Sequence, residues 1–298
     1  MTIYSSIGSN KRKTWFLIIF FMIFFFGVSY ILGRALGYGS SLAGVMLIIS
    51  GLMSFASYYY SDKIVLSMSG ARLADEKKHR DLIESVENLS IASGLPKPRV
   101  YVVNDPAPNA FATGRDPHHA AVVATTGILE KLSKSELEGV IGHELSHVKN
   151  YDTRLMGVVS ILAGSIVILS DFFMRSLWWG GRDRDRNNSS GIFLIIGLVA
   201  AILAPIGATL IQLAISRRRE YLADADGALL TRYPEGLARA LEKIAADKNV
   251  LKHASNATAH LYIENPFKAD GKKSTSFLAG LFSTHPPIEE RIKLLRNM

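Results

Sequence analysis

The stretch GVIGHELSHVKNYDTRLM at residues 139–156 places two histidines four residues apart, shortly before an apolar segment. Two overlapping capping-box patterns, Ser133-x-x-Glu136 and Ser135-x-x-Glu138, precede it, and such boxes are typical of a helix N-terminus. At about 100° per residue, one face of the resulting helix is apolar. This face carries Leu137, Ile141, Leu145 and Val148. The stretch therefore predicts an amphipathic helix whose histidines lie on a different face.

His143 and His147 form the pattern H-E-x-x-H together with Glu144. Residues four apart on a helix have Cβ atoms roughly 5–6 Å apart, so both imidazoles can reach one ion. Glu144 lies beside them, where a base for an activated water is needed. The pattern favours a zinc site in a peptidase, although a chance match on a solvated helix is the alternative.

A catalytic zinc ion takes three protein ligands and leaves one position open, so a third ligand is needed. The chain has no cysteine, which leaves His, Asp or Glu. The segment SRRREYLADADG at 216–227 places Glu220 and Asp224 four apart on one helical face. Glu220 is the candidate ligand, and Asp224 could accept a hydrogen bond from a ligand histidine. A charged helix end without a metal is the alternative.

The apolar residues are concentrated in four runs. The chain has 298 residues, of which 48% are hydrophobic, with a mean hydropathy of +0.18. A bilayer core is crossed by about 20 apolar residues in a helix. We therefore expect four transmembrane helices, at about 15–35, 38–60, 155–175 and 191–215. The first is expected to be an uncleaved anchor rather than a signal peptide, because its apolar run is long and a second span follows.

The net charge of +8 is attributed to membrane orientation rather than to nucleic-acid binding. Lysine and arginine flank the apolar runs on one side, which predicts a multi-pass plasma-membrane protein with its polar parts in the cytoplasm. The expected organisation is a transmembrane hairpin, the first part of a cytoplasmic domain, a second hairpin and the rest of that domain. Their bounds are 1–61, 62–154, 155–215 and 216–298.

The polar segments predict a mostly helical α+β domain with a small sheet. Residues 62–94 have the pattern of an amphipathic helix, and residues 234–248 that of a surface helix. Between them, turn residues separate three strand-like runs, at 99–103, 109–113 and 119–125. The middle run is either an edge strand, able to pair with an extended peptide, or an internal strand.

Together, these motifs resemble the HtpX-like membrane zinc metalloproteases, which are relatives of the CAAX prenyl protease. HELSH at 143–147, continuing to Asp152, and SRRREYLADADG at 216–227 carry the resemblance. NAFATG at 109–114, STHPPIEERI at 283–292 and the paired apolar runs extend it over nearly the whole chain.

The resemblance implies a gluzincin fold with one zinc ion per chain, bound by His143, His147 and Glu220. It also implies that Glu144 is the general base and that Asp224 supports a ligand. The histidine matching His285 is expected to hydrogen-bond the transition state. The strand beginning with Asn109, Ala110 and Phe111 is expected to line the substrate cleft. Family members degrade damaged or misassembled membrane proteins on the cytoplasmic side, so polypeptides and the lipid bilayer are the expected partners.

Four alternatives stay open at this point. A divalent-metal transporter can carry the same motif inside a span, but the polar residues around His143 argue against bilayer depth. An inactive scaffold would keep the site for structure alone. For His285, a place beside a helix cap formed by Thr284 is the alternative to a catalytic role. Manganese or cobalt could also occupy a site of nitrogen and oxygen donors.

Overall fold

A computed structural model describes residues 3–35, 41–180, 217–247, 249 and 286–298. The chain begins with two long helices and a short one, followed by a region of mixed helix and strand. The helices are α1 (Ile3–Ala35), α2 (Ser41–Tyr59), α3 (Ser61–Met68), α4 (Arg80–Ser93), α5 (Thr126–Lys131), α6 (Lys134–Lys149), α7 (Asp152–Gly180), α8 (Arg217–Thr231), α9 (Pro234–Ala246) and α10 (Ile288–Arg296). The protein is thus mostly helical, as predicted.

A four-stranded mixed sheet lies between the helices. Its strands are β1 (Arg72–Leu73), β2 (Arg99–Val103), β3 (Ala110–Thr113) and β4 (Ala121–Thr125). Their order is β1-β2-β4-β3, with β2 and β4 parallel and the outer strands antiparallel to their neighbours. The three predicted strands are therefore confirmed, and the middle one lies at an edge of the described sheet.

The prediction of one helix over residues 62–94 is wrong. The segment forms α3, then the short strand β1, then α4. Gly70, with φ 64°, follows the end of α3, and Leu73 pairs with Tyr101 of β2. The backbone of Asp75 and its side chain then form a turn before α4 begins. Pairing with β2, which lies far away in sequence, overrides the helical pattern of this segment.

Helix α6 is the centre of the domain. Its capping box forms as predicted, with Ser133 and Glu136 bonding each other's backbone. The apolar stripe is fully buried, as expected, but so are His143 and His147 on the other face. The helix packs against α4, α8, α9 and β3. Because it is covered on nearly every side, its polar side chains require partners inside the protein.

A bend separates α6 from α7. Helix α6 ends at Lys149, and α7 begins at Asp152. Tyr151 between them has φ 59°, a left-handed conformation that side chains with a Cβ seldom adopt. The bend places the side chain of Asp152 back towards the histidines of α6, with Asp152 Oδ2 3.0 Å from His147 Nδ1.

Helices α1 and α2 pack on each other and on the first half of α7. Their shared core contains Leu17, Ile18, Phe21, Phe25, Leu155, Val158, Val159 and Leu162. Measured over the described residues, every helix falls short of the length and hydropathy that crossing a bilayer requires. The four spans stay a prediction, and the fourth, at 191–215, lies outside the described residues.

Helices α6 and α8 touch through glycine. A Cβ on Gly227 would lie 2.8 Å from the backbone nitrogen of His143 and 3.1 Å from the carbonyl carbon of Gly142. Both of those atoms are backbone, so neither can rotate away. The absence of a side chain at Gly227 therefore sets the distance between the helix that carries the two histidines and the helix that carries Glu220.

We expect Gly227→Ala to lower the free energy of unfolding by about 1–3 kcal/mol, because the added methyl group forces α6 and α8 apart. Gly51→Ala is the control, since its Cβ would meet only the flexible end of Met22 at 3.7 Å. Both changes gain helix propensity, by at most about 1 kcal/mol. Denaturant unfolding of the two variants measures the difference, and equal stabilities would contradict the close contact.

Candidate metal centre

Three side chains from two helices converge on one point. His143 and His147 of α6 and Glu220 of α8 offer ligand atoms that all lie within 4.8 Å of one another. The two Nε2 atoms are 3.2 Å apart. Glu220 Oε2 lies 3.7 Å from His143 Nε2, and Glu220 Oε1 lies 3.6 Å from His147 Nε2. The structure thus brings together the three residues that the sequence proposed as ligands.

These distances fit a zinc ion. With bonds of roughly 2.1 Å, the corners of a tetrahedral site are about 3.4 Å apart. The two Nε2 atoms are 3.2 Å apart, close to that value, and each of them has one Glu220 oxygen 3.6 to 3.7 Å away. All three side chains are buried, and two neutral nitrogens with one carboxylate are a donor set that zinc accepts in catalytic sites.

Each of the two histidines has a carboxylate within hydrogen-bond distance of its Nδ1 atom. His143 Nδ1 lies 2.9 Å from Asp224 Oδ1, and His147 Nδ1 lies 3.0 Å from Asp152 Oδ2. In the neutral imidazole that a metal ion binds, donation from Nδ1 leaves Nε2 unprotonated, so its lone pair is available to an ion. Asp224 thus contacts His143, and its role in supporting a ligand stays a prediction. The equivalent position of Asp152 was missed, because only its occurrence in the motif had been noted.

Burial and charged neighbours shift the pKa values of His147 and Asp224. Burial lowers the pKa of His147, but its hydrogen bond to Asp152 and the nearby carboxylates raise it to about 9. Burial raises the pKa of Asp224, but the charge and hydrogen bonds of Arg291 and those of His143 lower it to about 2. Asp224 is thus a charged group throughout the neutral range.

Arg291 of α10 is a buried cation that the sequence reasoning did not single out. Its Nε and Nη2 donate to the two oxygens of Asp224 at 2.8 and 2.7 Å. Its Nη1 lies 3.9 Å from Glu220 Oε2, and only 1% of its surface is exposed. The available signal was an arginine within STHPPIEERI, a segment that was examined for His285 alone.

The side chain of Glu144 extends from α6 to the edge strand β3. Its carboxylate accepts a hydrogen bond from the backbone N–H of Ala112 in β3. Burial raises the pKa of Glu144, and Glu220 adds to the rise, although His143 and His147 act against it. The Glu144 carboxyl group thus lies beside the three converging side chains, where it can accept and release a proton during a reaction.

Strand β3 runs past this carboxylate. Thr125 N–H donates to the carbonyl of Asn109, so alternate residues of β3 bond to β4. The backbone groups of Ala110 and Ala112 therefore point away from β4. Asn109 accepts from Ala110 N–H at 3.0 Å, and Phe111 is buried in the core below the sheet. The strand that was predicted to line a cleft is thus adjacent to Glu144, whereas His285 lies outside the described residues.

The chain resembles characterised sequences along its whole length. The sequence profile of Peptidase family M48 matches residues 76–298. A protein named Protease HtpX homolog from Dictyoglomus turgidum is 47% identical, over 100% of this chain and 95% of that protein. A protein of the same name from Caldanaerobacter subterraneus is 48% identical, over 100% of this chain and 98% of that protein.

A solved structure has the same fold. The crystal structure of S. mikatae Ste24p superposes with a TM-score of 0.51 at 19% sequence identity. The match covers 90% of this chain and 62% of the length of that protein. At this identity the likeness concerns the arrangement of helices and strands alone.

We expect Arg291→Met to lower the free energy of unfolding by about 3–5 kcal/mol, because Asp224 would remain charged and buried without its partner. Adding Asp224→Asn should recover part of this loss, since it removes the unpaired charge. Arg296→Met is the control on the same helix, because Arg296 pairs with Glu235 and Glu242 at the surface. Denaturant unfolding measures all three, and equal losses for the two arginines would contradict this account.

Proposed function

Given that the chain belongs to peptidase family M48, we propose that His143, His147 and Glu220 bind its zinc ion and that Glu144 is the general base. The chain is a zinc-dependent protease, and its substrates are polypeptides. The proposal rests on the convergence of the two Nε2 atoms and the Glu220 carboxylate. Two imidazole nitrogens and one carboxylate at this spacing are a donor set that catalytic zinc uses.

The chemistry follows from the position of each group. A zinc ion in this site supplies Lewis acidity, which polarises the peptide carbonyl and makes water a nucleophile near neutral pH. Glu144 takes a proton from the attacking water and later passes it to the leaving amine. Burial raises the pKa of Glu144, and a higher pKa makes its carboxylate a stronger base for this proton transfer.

The substrate is proposed to bind as an extended strand along β3. Ala110 and Ala112 direct their backbone groups away from β4, and Ala112 N–H reaches the carboxylate of Glu144. A peptide paired with this edge would therefore pass the carboxylate of Glu144 at a fixed distance. Main-chain pairing of this kind is nearly independent of substrate sequence. In this proposal Asn109 and Phe111 hold the strand in place, through the turn before it and through the core below it.

His285 is proposed to stabilise the negative charge that develops on the carbonyl oxygen. Connectivity supports this role, because His285 precedes the buried Pro286 and the helix that delivers Arg291 to the ligand cluster. Arg291 is tied to Asp224 by two hydrogen bonds, so we assign it to holding Asp224 and the charge balance of the site. A donor aimed at the developing oxyanion can contribute a factor of about 10²–10³ to turnover.

The protein is proposed to lie in the plasma membrane with this site on the cytoplasmic side. Helices α1 and α2 expose large apolar side chains, including Phe16, Ile23, Ile48 and Leu52, each with more than 60% of its surface accessible. Such a surface is costly in water and favourable against lipid. The Lys/Arg-rich flanks of the apolar runs are the basis for the proposed orientation, because such flanks lie on the cytoplasmic side of a membrane.

Misfolded or damaged membrane proteins are the proposed substrates, because an extended, sequence-independent binding edge beside a bilayer suits exposed and unfolded segments. Transport of a divalent ion is disfavoured, since the ligands lie between α6 and α8, next to the sheet, rather than inside an apolar helix pair. The buried Glu144 argues against an inactive scaffold, because burying a carboxyl group is destabilising and a purely structural site gains nothing from it.

We expect Glu144→Gln to lower kcat on an unfolded casein-like substrate by a factor of about 10²–10⁴ while zinc binding is retained. Glu138→Gln is the matched control, an identical change on the same helix at a half-buried position. Chelator treatment should abolish wild-type activity, and added zinc should restore it. Activity of Glu144→Gln equal to that of Glu138→Gln would rule out the assigned base.

Membrane orientation can be tested with single cysteines, because the chain has none of its own. We expect Lys134→Cys, at the exposed start of α6, to resist a membrane-impermeant maleimide in intact cells. Ser189→Cys, in the segment between the third and fourth predicted spans, should react in the same cells. Both should react after lysis. Labelling of Lys134→Cys in intact cells would reverse the proposed orientation.

A further inference from the structure

A side chain of the N-terminal helix reaches the metal centre from behind. Asn10 of α1 is buried, with 2% of its surface exposed, although most of this helix is apolar. Its Nδ2 donates to Asp152 Oδ1 at 2.6 Å and to the backbone carbonyl of Asn150 at 3.0 Å. Asn10 thus contacts the carboxylate that holds His147, from a point 142 residues away in sequence.

Both oxygens of Asp152 are occupied. Oδ2 accepts from His147 Nδ1 at 3.0 Å, whereas Oδ1 faces Asn10 and the Nε of Arg219 at 3.3 Å. Arg219 Nη1 in turn donates to Asn10 Oδ1 at 3.3 Å. The three side chains form a closed set of contacts between α1, α7 and α8. Arg219 directly precedes the ligand Glu220, so this set joins both ligand-bearing parts of the chain.

We propose that Asn10 is a positioning residue for the metal centre, acting on His147 through Asp152. A carboxylate bonded through one oxygen alone can rotate about its side-chain torsions. Anchoring Oδ1 to Asn10 fixes the plane of the carboxylate and so aims Oδ2 at His147 Nδ1. The imidazole is then held with Nε2 towards Glu220. This inference rests on the proposed ligand role of His147.

The same helix supports the bend before Asp152. Asn10 binds the carbonyl of Asn150, and the Nζ of Lys11 lies 4.4 Å from the ring centre of Tyr151. Tyr151 holds the left-handed conformation at the bend, which costs roughly 1–2 kcal/mol unless neighbours stabilise it. Neighbouring contacts from α1 therefore hold in place the turn that directs Asp152. The M48 profile begins at residue 76, so this support lies outside the matched peptidase region.

The test measures zinc affinity rather than activity. The purified full-length chain is titrated with zinc in competition with a chromophoric chelator. We expect Asn10→Leu, which keeps the side-chain volume, and Asn10→Ala to weaken zinc binding about 10-fold, at the low end for partners of a ligand. Ser50→Ala is the control, because its buried hydroxyl donates within α2 at Leu47. Thermal unfolding of the metal-free variants shows which of them are folded.

A double-mutant cycle with Asp152→Asn separates positioning from general stability. If Asn10 acts through Asp152, adding Asn10→Leu to Asp152→Asn should change zinc affinity less than twofold, whereas independent effects multiply. The visible spectrum of the cobalt-substituted protein should also change in Asn10→Leu and stay unchanged in Ser50→Ala.

Three outcomes would contradict the role of Asn10, and a fourth would contradict the proposed ligand set. Wild-type affinity in folded Asn10→Leu, equal losses in Asn10→Leu and Ser50→Ala, or fully multiplicative losses with Asp152→Asn would overturn the inference. Wild-type zinc affinity in His147→Ala would instead overturn the proposed ligand set. The two failures are therefore distinguishable.

Discussion

The proposed metal centre places four carboxyl groups where water hardly reaches them. Glu144, Asp152, Glu220 and Asp224 each expose no more than 4% of their surface. Burying an ion costs several kcal/mol unless good partners surround it. Here the imidazoles, two arginines and the backbone N–H of Ala112 supply the partners, and a zinc ion in the proposed site would add to them. The contacts that stabilise these carboxyl groups also orient the proposed ligands. Charge pairing and ligand geometry therefore depend on the same set of contacts.

The backbone makes this arrangement possible by bringing distant segments into contact. Gly227 lets α8 approach α6 until Glu220 lies within 4 Å of both histidines. The edge strand of the sheet contacts Glu144, so one hydrogen bond joins the proposed base to the proposed peptide-binding edge. The N-terminal helix completes the enclosure through Asn10. Helix α1 and the peptidase part of the chain are therefore in direct contact at the proposed metal centre, and not only linked in sequence.

Much of the local structure was predictable, because it depends on neighbours in sequence. The capping box at Ser133 and the spacing of His143 and His147 follow from helical geometry alone, and both appear as expected. The strands at 99–103 and 119–125 were recognisable from their β-branched residues and flanking turns. The error at 62–94 has the opposite cause, since the pairing of Leu73 with Tyr101 is a long-range contact that no local period encodes.

The sequence by itself determined which residue types could meet a metal and which helices would carry them, because those features repeat every 3.6 residues along one element. Only the tertiary structure decided their partners. Arg291 against Asp224, Asp152 against His147 and Asn10 against Asp152 join side chains from separate elements. Such pairs are selected by the burial of charge, since a carboxylate inside the protein must find a donor wherever the fold supplies one. These pairs form between residues that are close in space but belong to separate elements, so the periodicity of the sequence does not reveal them.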